Sequence, residues 1–487
     1  MWTWLLALIY LICLLIIFGY ALVQGTLAVL YLKAKKKNAE KPKALIDFPI
    51  VTIQLPVFNE KYVVDRLIKT VVQMDYPKDK LEIQILDDST DETSEIIAKR
   101  VQEYAKLGFL ITHVQRTNRV GFKAGALAEG LTRVKGEFIA IFDADFIPDK
   151  DFLKKTLPHF SDLKVGVVQT RWEHLNRNSS LLTKLQAFAL DAHFSVEQTG
   201  RNSHHHFINF NGTAGIWRRE TIVEAGGWEN DTLTEDLDLS YRAQMIGWRF
   251  VYLEDVHSPA ELPIAISALK NQQFRWVKGG AENVVKNGKR LLFQKGLRFS
   301  DRLHGITHLF NSSVYLFIFI MALITVPLTY AGVSNPNVAI ALNWMALFFL
   351  STLLLIFYYG VSYREKTRPG MKWFLFIWRF IQFLTVSLGL SYYNAKGVMQ
   401  AYMGKKTAFV RTPKFNTDQK ENWLKNAYLN KKWRPETLIE LILFLYFLSG
   451  IVFSYYYGYY GMVPFQSMLT TGYGAVLWYS FKERNAA

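Results

Sequence analysis

A single cysteine, Cys13, occurs among the 487 residues, and it lies inside an apolar run. A disulfide framework and a cysteine-built zinc site are therefore excluded. Charge is missing from three long stretches: residues 1–32, 303–363 and 441–481 contain no Asp, Glu, Lys or Arg. Residues 33–302, by contrast, have the composition of a soluble domain. That contrast excludes both intrinsic disorder and a purely soluble globule. The length predicts two or three structural units. No low-complexity region or internal repeat stands out, and no separate regulatory domain is expected beyond residue 434.

What charge there is leans basic. Lys+Arg 57 against Asp+Glu 41 gives +16, and the stretch from Lys396 to Arg434 holds ten basic and two acidic residues, half of that excess. Its place between apolar segments favours a membrane-adjacent cytoplasmic segment in contact with membrane lipids, and no nucleic acid is expected as a partner.

Residues 4–31 exceed the roughly 20 apolar residues that span a hydrocarbon core. Lys33, Lys35, Lys36 and Lys37 follow the run rather than precede it, so it is an anchor rather than a signal peptide, with residue 33 onward in the cytoplasm. The stretch 303–363 is long enough for two helices, broken at Gly332, Asn335 and Pro336, and 441–481 divides at Gly461 and Pro464. Arg364, Lys366 and Arg368 follow the first pair, Lys482 and Arg484 the second. Residues 373–395 are apolar but carry Arg379, and a crossing there would put the basic segment outside. An interfacial or re-entrant element is expected instead, with Trp373, Trp378 and Tyr393 at headgroup level. The count is five spans, or six if 373–395 crosses. The units expected are a transmembrane anchor (1–32), a cytoplasmic domain (48–300), two transmembrane helices (303–363), interfacial helices with the basic segment (364–437), and two more transmembrane helices (438–481).

Within the cytoplasmic domain short apolar strands alternate with amphipathic helices. IVTIQLPVF (50–58), EIQILDD (82–88), LITHVQ (110–115) and EFIAIFDAD (137–145) are strands, with helices at 59–74, from about 91, and at 121–132. This alternation predicts an α/β domain with a mostly parallel sheet and helices on both faces, joined to an α-helical transmembrane region. Ligands of such sheets bind beyond the carboxyl ends of the strands, where the acidic residues sit.

Asp87 and Asp88 close the second strand and Asp143-Ala144-Asp145 the fourth. An Asp-x-Asp at a strand end points both carboxylates one way, and paired carboxylates with a diphosphate suit Mg²⁺ or Mn²⁺. Thr234-Glu235-Asp236 opens a helix. An inverting sugar transfer needs a carboxylate to take the proton of the attacking hydroxyl, and Asp236, with Glu235 beside it, is the candidate. Gln272, Arg275 and Trp276 share one helical face, where an arginine can neutralise a leaving diphosphate and a tryptophan can stack on an acceptor sugar. Taken singly, DAD is equally a polar turn, Asp236 a helix cap, and the last motif a membrane-interface helix. His204-His205-His206 is expected to be a solvated loop, because three adjacent histidines cannot all face one ion.

Order and spacing carry more than any single motif: DD, DxD about 55 residues on, TED about 90 further, and QxxRW about 36 beyond that. With QLPVFNE (54–60), LDDSTDET (86–93), GFKAGAL (121–127), FNGTAGIWRR (210–219), TEDLDLSYRA (234–243) and QQFRW (272–276), the chain resembles the processive family-2 glycosyltransferases, among them cellulose, chitin and hyaluronan synthases. The wording is nearest to the plant cellulose-synthase-like A and C groups, which make mannan or glucomannan and the glucan backbone of xyloglucan. The resemblance implies a GT-A-type domain in which Asp87 and Asp88 bind the nucleoside, with Pro56 and Glu60 beside the base or ribose. It implies that Lys123 lies near the donor, that Asp143 and Asp145 bind diphosphate and metal, that Asp236 is the base, and that Gln272, Arg275 and Trp276 form the acceptor-end motif. Phe409-Val410-Arg411-Thr412-Pro413-Lys414 resembles the gating loop of cellulose synthase, whose Thr and Lys reach the phosphates; Arg411 stands where valine is usual. A basic juxtamembrane loop attracted to anionic lipid is the other reading of that segment.

The expectation is a membrane-embedded inverting enzyme of the bacterial plasma membrane or its equivalent. It moves a hexose from UDP-glucose or GDP-mannose to a growing β-linked polysaccharide, coupled to translocation. The alternative acceptor is a membrane lipid, as in ceramide glucosyltransferases. A transporter would carry ionisable residues inside its spans, whereas 303–363 and 441–481 hold only His304 and His308, near one end.

Overall fold

The computed structural model describes residues 1–36, 42, 45, 47–367, 370, 372–414, 416, 428 and 435–485. Lys37, Arg368 and the basic residues from Lys420 to Arg434, used above for sidedness, lie outside them.

Seven strands form one sheet: β1 (Val51–Val57), β2 (Leu81–Asp87), β3 (Leu110–Gln115), β4 (Phe138–Ile141), β5 (Val165–His174), β6 (Gly215–Arg218) and β7 (Arg249–Ala260), in the order β3-β2-β1-β4-β6-β5-β7. The strands β3, β2, β1 and β4 run parallel, β6 is antiparallel to both its neighbours, and β7 is parallel to β5. β1 and β2 are buried almost throughout, as expected of strands covered on both faces. Ile53, Leu55 and Ile83 pack with Leu67 and Ile68 of helix Val64–Val72 on one face, and Leu127, Ile139, Ile141 and Trp217 fill the other. The expected mostly parallel sheet is therefore present, with one antiparallel strand inserted. β4 stops at Ile141, so Asp143 and Asp145 occupy the turn beyond the strand. Their direction is set by that turn and not by strand alternation.

Among the described residues, four helices are long and apolar enough to cross a membrane: Trp2–Ala34, Phe299–Ser334, Pro336–Lys366 and Glu436–Tyr456. The break between the second and third falls at Asn335, whose side chain accepts from the Asn337 and Val338 amides. Trp373–Gly389 and Ser391–Tyr402 form a pair bent by 50°, the geometry of a broken span or a re-entrant loop, at the position where an interfacial element was expected. The last expected span is a helix, Val463–Asn485, but it is not among the four. Freedom from charge is not apolarity: Gln466, Ser467, Thr470 and Thr471 lower its hydropathy. Gln466 is fully buried, donating to Thr329 Oγ1 (3.2 Å) and accepting from Ser454 Oγ (3.1 Å). Among the described residues the count by length and composition is thus four, or five with the bent pair.

The histidine run also differs from expectation. His206 is buried, with Nδ1 2.8 Å from Asp301 Oδ1 and its ring stacked on His304 at 4.1 Å, because helix Phe299–Phe310 packs over it.

Helix Ile266–Phe293 joins the soluble domain to the membrane helices. Lys270, 5% exposed, donates from its ammonium to the fully buried Glu440, which also accepts from Tyr393 (2.5 Å) and Ser480 (3.1 Å). Removing one partner of such a pair strands the other charge. Lys270→Met alone is expected to cost about 3–5 kcal/mol and Lys270→Met with Glu440→Leu far less. Thermal melts of the detergent-purified protein check this, and an equal drop for the two variants contradicts it.

Candidate active site

A cavity of about 180 Å³ opens beyond the carboxyl ends of the strands, as the sheet topology requires. Pro56 and Glu60 reach it from β1 and the turn after it, Asp88 from the residue after β2, and Asp143 and Asp145 from the turn after β4. Lys123 enters from helix Phe122–Leu131, Glu235 and Asp236 from the first turn of helix Glu235–Met245, and Gln272, Arg275 and Trp276 from helix Ile266–Phe293. Thr412 and Lys414 come from the segment after the bent pair. Residues up to about 360 positions apart in the chain thus line one space.

Asp87 is the exception. It lies outside the cavity wall and ties the end of β2 together, accepting from the Ser89 amide (2.8 Å) and the Ser94 hydroxyl (2.6 Å), with His113 Nε2 at 2.8 Å. Burial opposes its charge, but these partners outweigh burial and hold the carboxyl down at about 2. Of the expected nucleoside-binding pair, only Asp88 is on the cavity wall, and Asp87 lies behind it. Asp88 is held by Arg116, whose Nε donates at 2.8 Å.

The remaining carboxylates are balanced by cations from other segments. Lys123 Nζ donates to Asp143 Oδ1 (2.6 Å) and to the Gly212 carbonyl (2.8 Å). Lys414 Nζ donates to Asp145 Oδ2 (2.7 Å), and Arg411 Nη1 lies 3.1 Å from Glu60 Oε1. Balance is incomplete. Burial, with Glu235 beside it, pushes Asp236 up to about 7 against the pull of Lys123 and of the Leu237 amide, which donates to Oδ1 at 2.8 Å. Burial also raises Glu235 and Asp145, and takes Glu60 up to about 8. Gly212, at φ +78°, presses its backbone on this group: a Cβ there would meet Asp236 Oδ2 at 3.0 Å and Lys123 Nζ at 3.4 Å.

The gating-like segment lies closed over the cavity. Phe409 stacks on Phe122 (5.9 Å between centroids) under the Arg275 guanidinium at 4.4 Å, and Lys278 Nζ donates to the Lys405 carbonyl (2.5 Å) and Thr407 Oγ1 (2.7 Å). Arg411, the departure from the family pattern, replaces an aliphatic contact with its ion pair to Glu60 and a hydrogen bond to the Phe58 carbonyl (2.9 Å).

Carboxylate oxygens are the donors that hard divalent cations take. Asp145 Oδ1, Glu60 Oε2, Thr412 Oγ1 and Arg411 Nη2 are buried without a hydrogen-bond partner among the described residues, so the site has oxygen donors and an anion-facing donor to spare. Asp145 fits a divalent cation on that ground, and Asp143, two residues before it on the same wall, adds a second carboxylate. A second carboxylate group, Glu229, Asp231 and Asp238, has oxygens within 4.8 Å of one another, but Lys286 Nζ sits among them at 2.6, 2.6 and 3.0 Å.

Among the lining residues not anticipated from the motifs are Arg119, whose guanidinium lies 3.3 Å above the Phe58 ring, Trp172, His174 and Asn211. Asn211 sits inside the quoted FNGTAG stretch, and Trp172 and His174 end β5, a strand that carries none of the quoted motifs.

Because Glu235 helps hold the Asp236 proton, Glu235→Gln is expected to move that carboxyl's titration below its value near 7. The acid carbonyl band in infrared titration, assigned with Asp236→Asn, checks this; an unmoved or raised midpoint contradicts it.

Comparison with known proteins agrees with this architecture. Residues 49–279 match the model for glycosyltransferase-like family 2, and residues 218–480 match the model for cellulose synthase. Glucomannan 4-β-mannosyltransferase 2 of Arabidopsis thaliana is 44% identical over 269 residues, 54% of this chain and 50% of that protein. Glucomannan 4-β-mannosyltransferase 7 of the same plant is 36% identical over 358 residues, 69% of this chain and 63% of that protein. The chain spans about half the length of the curated relatives it matches. A mannosyltransferase of Pyrobaculum calidifontis, solved in complex with GDP-Man and Mn²⁺, aligns with a TM-score of 0.54 at 20% identity, covering 82% of this chain and 100% of its own, which shows a shared fold. With more than half of its length matched by that family model, the chain belongs to the cellulose synthase family.

Proposed function

We propose that this protein is an inverting, divalent-cation-dependent glycosyltransferase that extends a β-linked polysaccharide at the membrane. Its GT-A-type domain would face the cytoplasm, and mannose from GDP-mannose would be the group transferred. The observation that carries the reading is the gathering of Asp143, Asp145, Asp236, Arg275, Trp276 and Lys414 around one cavity. The names of the curated relatives and the GDP-Man complex of the structural neighbour favour GDP-mannose over UDP-glucose as donor.

Asp236, with a carboxyl poised near neutrality, takes the proton of an acceptor hydroxyl. The hydroxyl oxygen bonds to the anomeric carbon as the bond from that carbon to the diphosphate oxygen breaks on the opposite face. Asp143 and Asp145 would hold a divalent cation, which would supply positive charge against the charge developing on the leaving diphosphate. Lys414, Arg275 and the Thr412 hydroxyl line the same cavity and suit the phosphates, while Pro56, Glu60 and Asp88 suit the nucleoside. Lys123, tied to Asp143 and the Gly212 carbonyl, orients the donor end.

Gln272 and Trp276 then meet the acceptor. Their helix is pressed against Ser391–Tyr402 at Gly397, where a Cβ would meet the Phe274 carbonyl at 3.2 Å. An acceptor leaving Trp276 is thereby delivered to the membrane helices, which supports extension coupled to translocation.

Asp236→Asn is expected to lower transfer by about 10²–10⁴-fold while leaving stabilisation by GDP and Mn²⁺ intact. Equal loss of both contradicts the role of base. Purified protein given GDP-mannose and Mn²⁺ or Mg²⁺ is expected to make a high polymer sensitive to β-mannanase. A glucan made only from UDP-glucose contradicts the donor assignment, and a single glycolipid contradicts the polymer.

A further inference from the structure

The segment covering the cavity is held over it by two kinds of contact. Arg411 on Glu60 and Lys414 on Asp145 use groups that line the cavity. Asp145 and Lys414 are also the residues proposed above for the cation and the diphosphate. Their ion pair is therefore available to hold the segment only until those ligands arrive. A contact that outlasts loading has to draw on other residues.

Asn416 makes such a contact. Its Oδ1 accepts from Arg66 Nη1 (3.0 Å), its Nδ2 donates to the Tyr62 carbonyl (2.9 Å), and its backbone N–H donates to Glu261 Oε2 (3.1 Å). Arg66 Nη2 donates to the other Glu261 oxygen at 2.8 Å, so one guanidinium grips both Asn416 and the carboxylate beside it. The Glu261 side chain is 2% exposed and that of Arg66 17%. Arg66, Tyr62 and Asn416 stand outside the cavity wall.

The parts of this clamp are fixed. Arg66 is in the first turn of helix Val64–Val72, whose Leu67 and Ile68 pack against β1, and Glu261 is the residue after β7. The Glu261 amide donates to Asp145 Oδ2 (3.2 Å), the oxygen that also accepts from Lys414. Lys414 and Asn416, two positions apart, thus seat on one continuous surface made by Asp145 and Glu261. Asn416 has φ +49°, in the left-handed region that asparagine enters more readily than most side chains. An asparagine there suits the backbone and offers a donor and an acceptor together.

We infer that Arg66 and Glu261 are positioning residues, which clamp Asn416 and so fix the covering segment with Thr412 and Lys414 presented to the donor phosphates. The inference rests on the glycosyltransferase reading and adds to it an anchor outside the cavity. Without the clamp the segment covers the cavity for a smaller fraction of the time, and a donor that needs it there binds more weakly by that fraction. A saturating donor restores the covered state, so the loss belongs to KM and not to kcat.

The test uses the full chain in detergent with GDP-mannose and Mn²⁺. Asn416→Gly tolerates the left-handed backbone and keeps the N–H to Glu261 while removing both side-chain bonds. Arg66→Lys keeps a cation for Glu261 but loses the second arm. Each is expected to raise the KM for GDP-mannose about three- to tenfold, with kcat within about twofold and the melting temperature of the nucleotide-free protein unchanged. The double variant is expected to be no worse than Asn416→Gly alone, because both changes break one contact. Trypsin cleavage after Arg411 and Lys414, mapped by mass spectrometry, is expected to quicken in each variant without nucleotide and to return to the wild-type rate with saturating GDP and Mn²⁺. An unchanged donor KM, additive single effects, or a loss confined to kcat or to the melting temperature overturns the clamp. Coinciding cleavage rates overturn it without reference to turnover. A wild type that transfers no sugar overturns the glycosyltransferase reading instead, which separates the two failures.

Discussion

Burying many carboxylates around one small cavity is the constraint on which the molecule's organisation depends. An isolated buried carboxylate is so costly that it is either paired or protonated. In this chain each solution is visible: Lys123 answers Asp143, Lys414 answers Asp145, Arg411 answers Glu60 and Arg116 answers Asp88. Two of those cations belong to the segment that covers the cavity, so the same charges that would grip a metal and diphosphate hold the lid shut over the carboxylates. Where burial outweighs the cations, at Asp236, Glu235 and, despite Arg411, Glu60, the carboxyls keep protons to higher pH. A carboxyl poised near neutrality, as the proposed base requires, is thus a by-product of a crowded acidic site.

The same economy of position joins the soluble domain to the membrane. Helix Ile266–Phe293 turns Gln272, Arg275 and Trp276 to the cavity, Lys270 to Glu440 of a membrane helix, and Lys278 to the covering segment. The cavity, the segment that covers it and the membrane helices therefore share one element.

Much of this was legible in the sequence because its signals were local. Strand–helix alternation located β1 to β4 within a few residues, and ordered acidic motifs located the cavity's charged wall. Arg411 was legible as a departure but not in its consequence, since nothing local shows that it reaches Glu60 some 350 residues away. That Asp87 pairs with His113 of the neighbouring strand was not legible, because pairing register is not written in a dipeptide. Trp172, His174 and Asn211 were invisible for a different reason. Neutral donors become informative only when burial and missing partners are seen, which no spacing reveals. In the last helix, absence of charge is legible but apolarity is not the same thing, and the buried Gln466 marks the difference.

The account stands on Asp143 and Asp145 being the place where a divalent ion meets the diphosphate. The most direct measurement is an experimental structure of the protein with GDP and Mn²⁺, the ion located by anomalous scattering. The predicted result is one peak in contact with Asp143 and Asp145, with the diphosphate toward Thr412 and Lys414. A peak at Glu229, Asp231 and Asp238 instead, or a diphosphate bound away from the cavity, would contradict it.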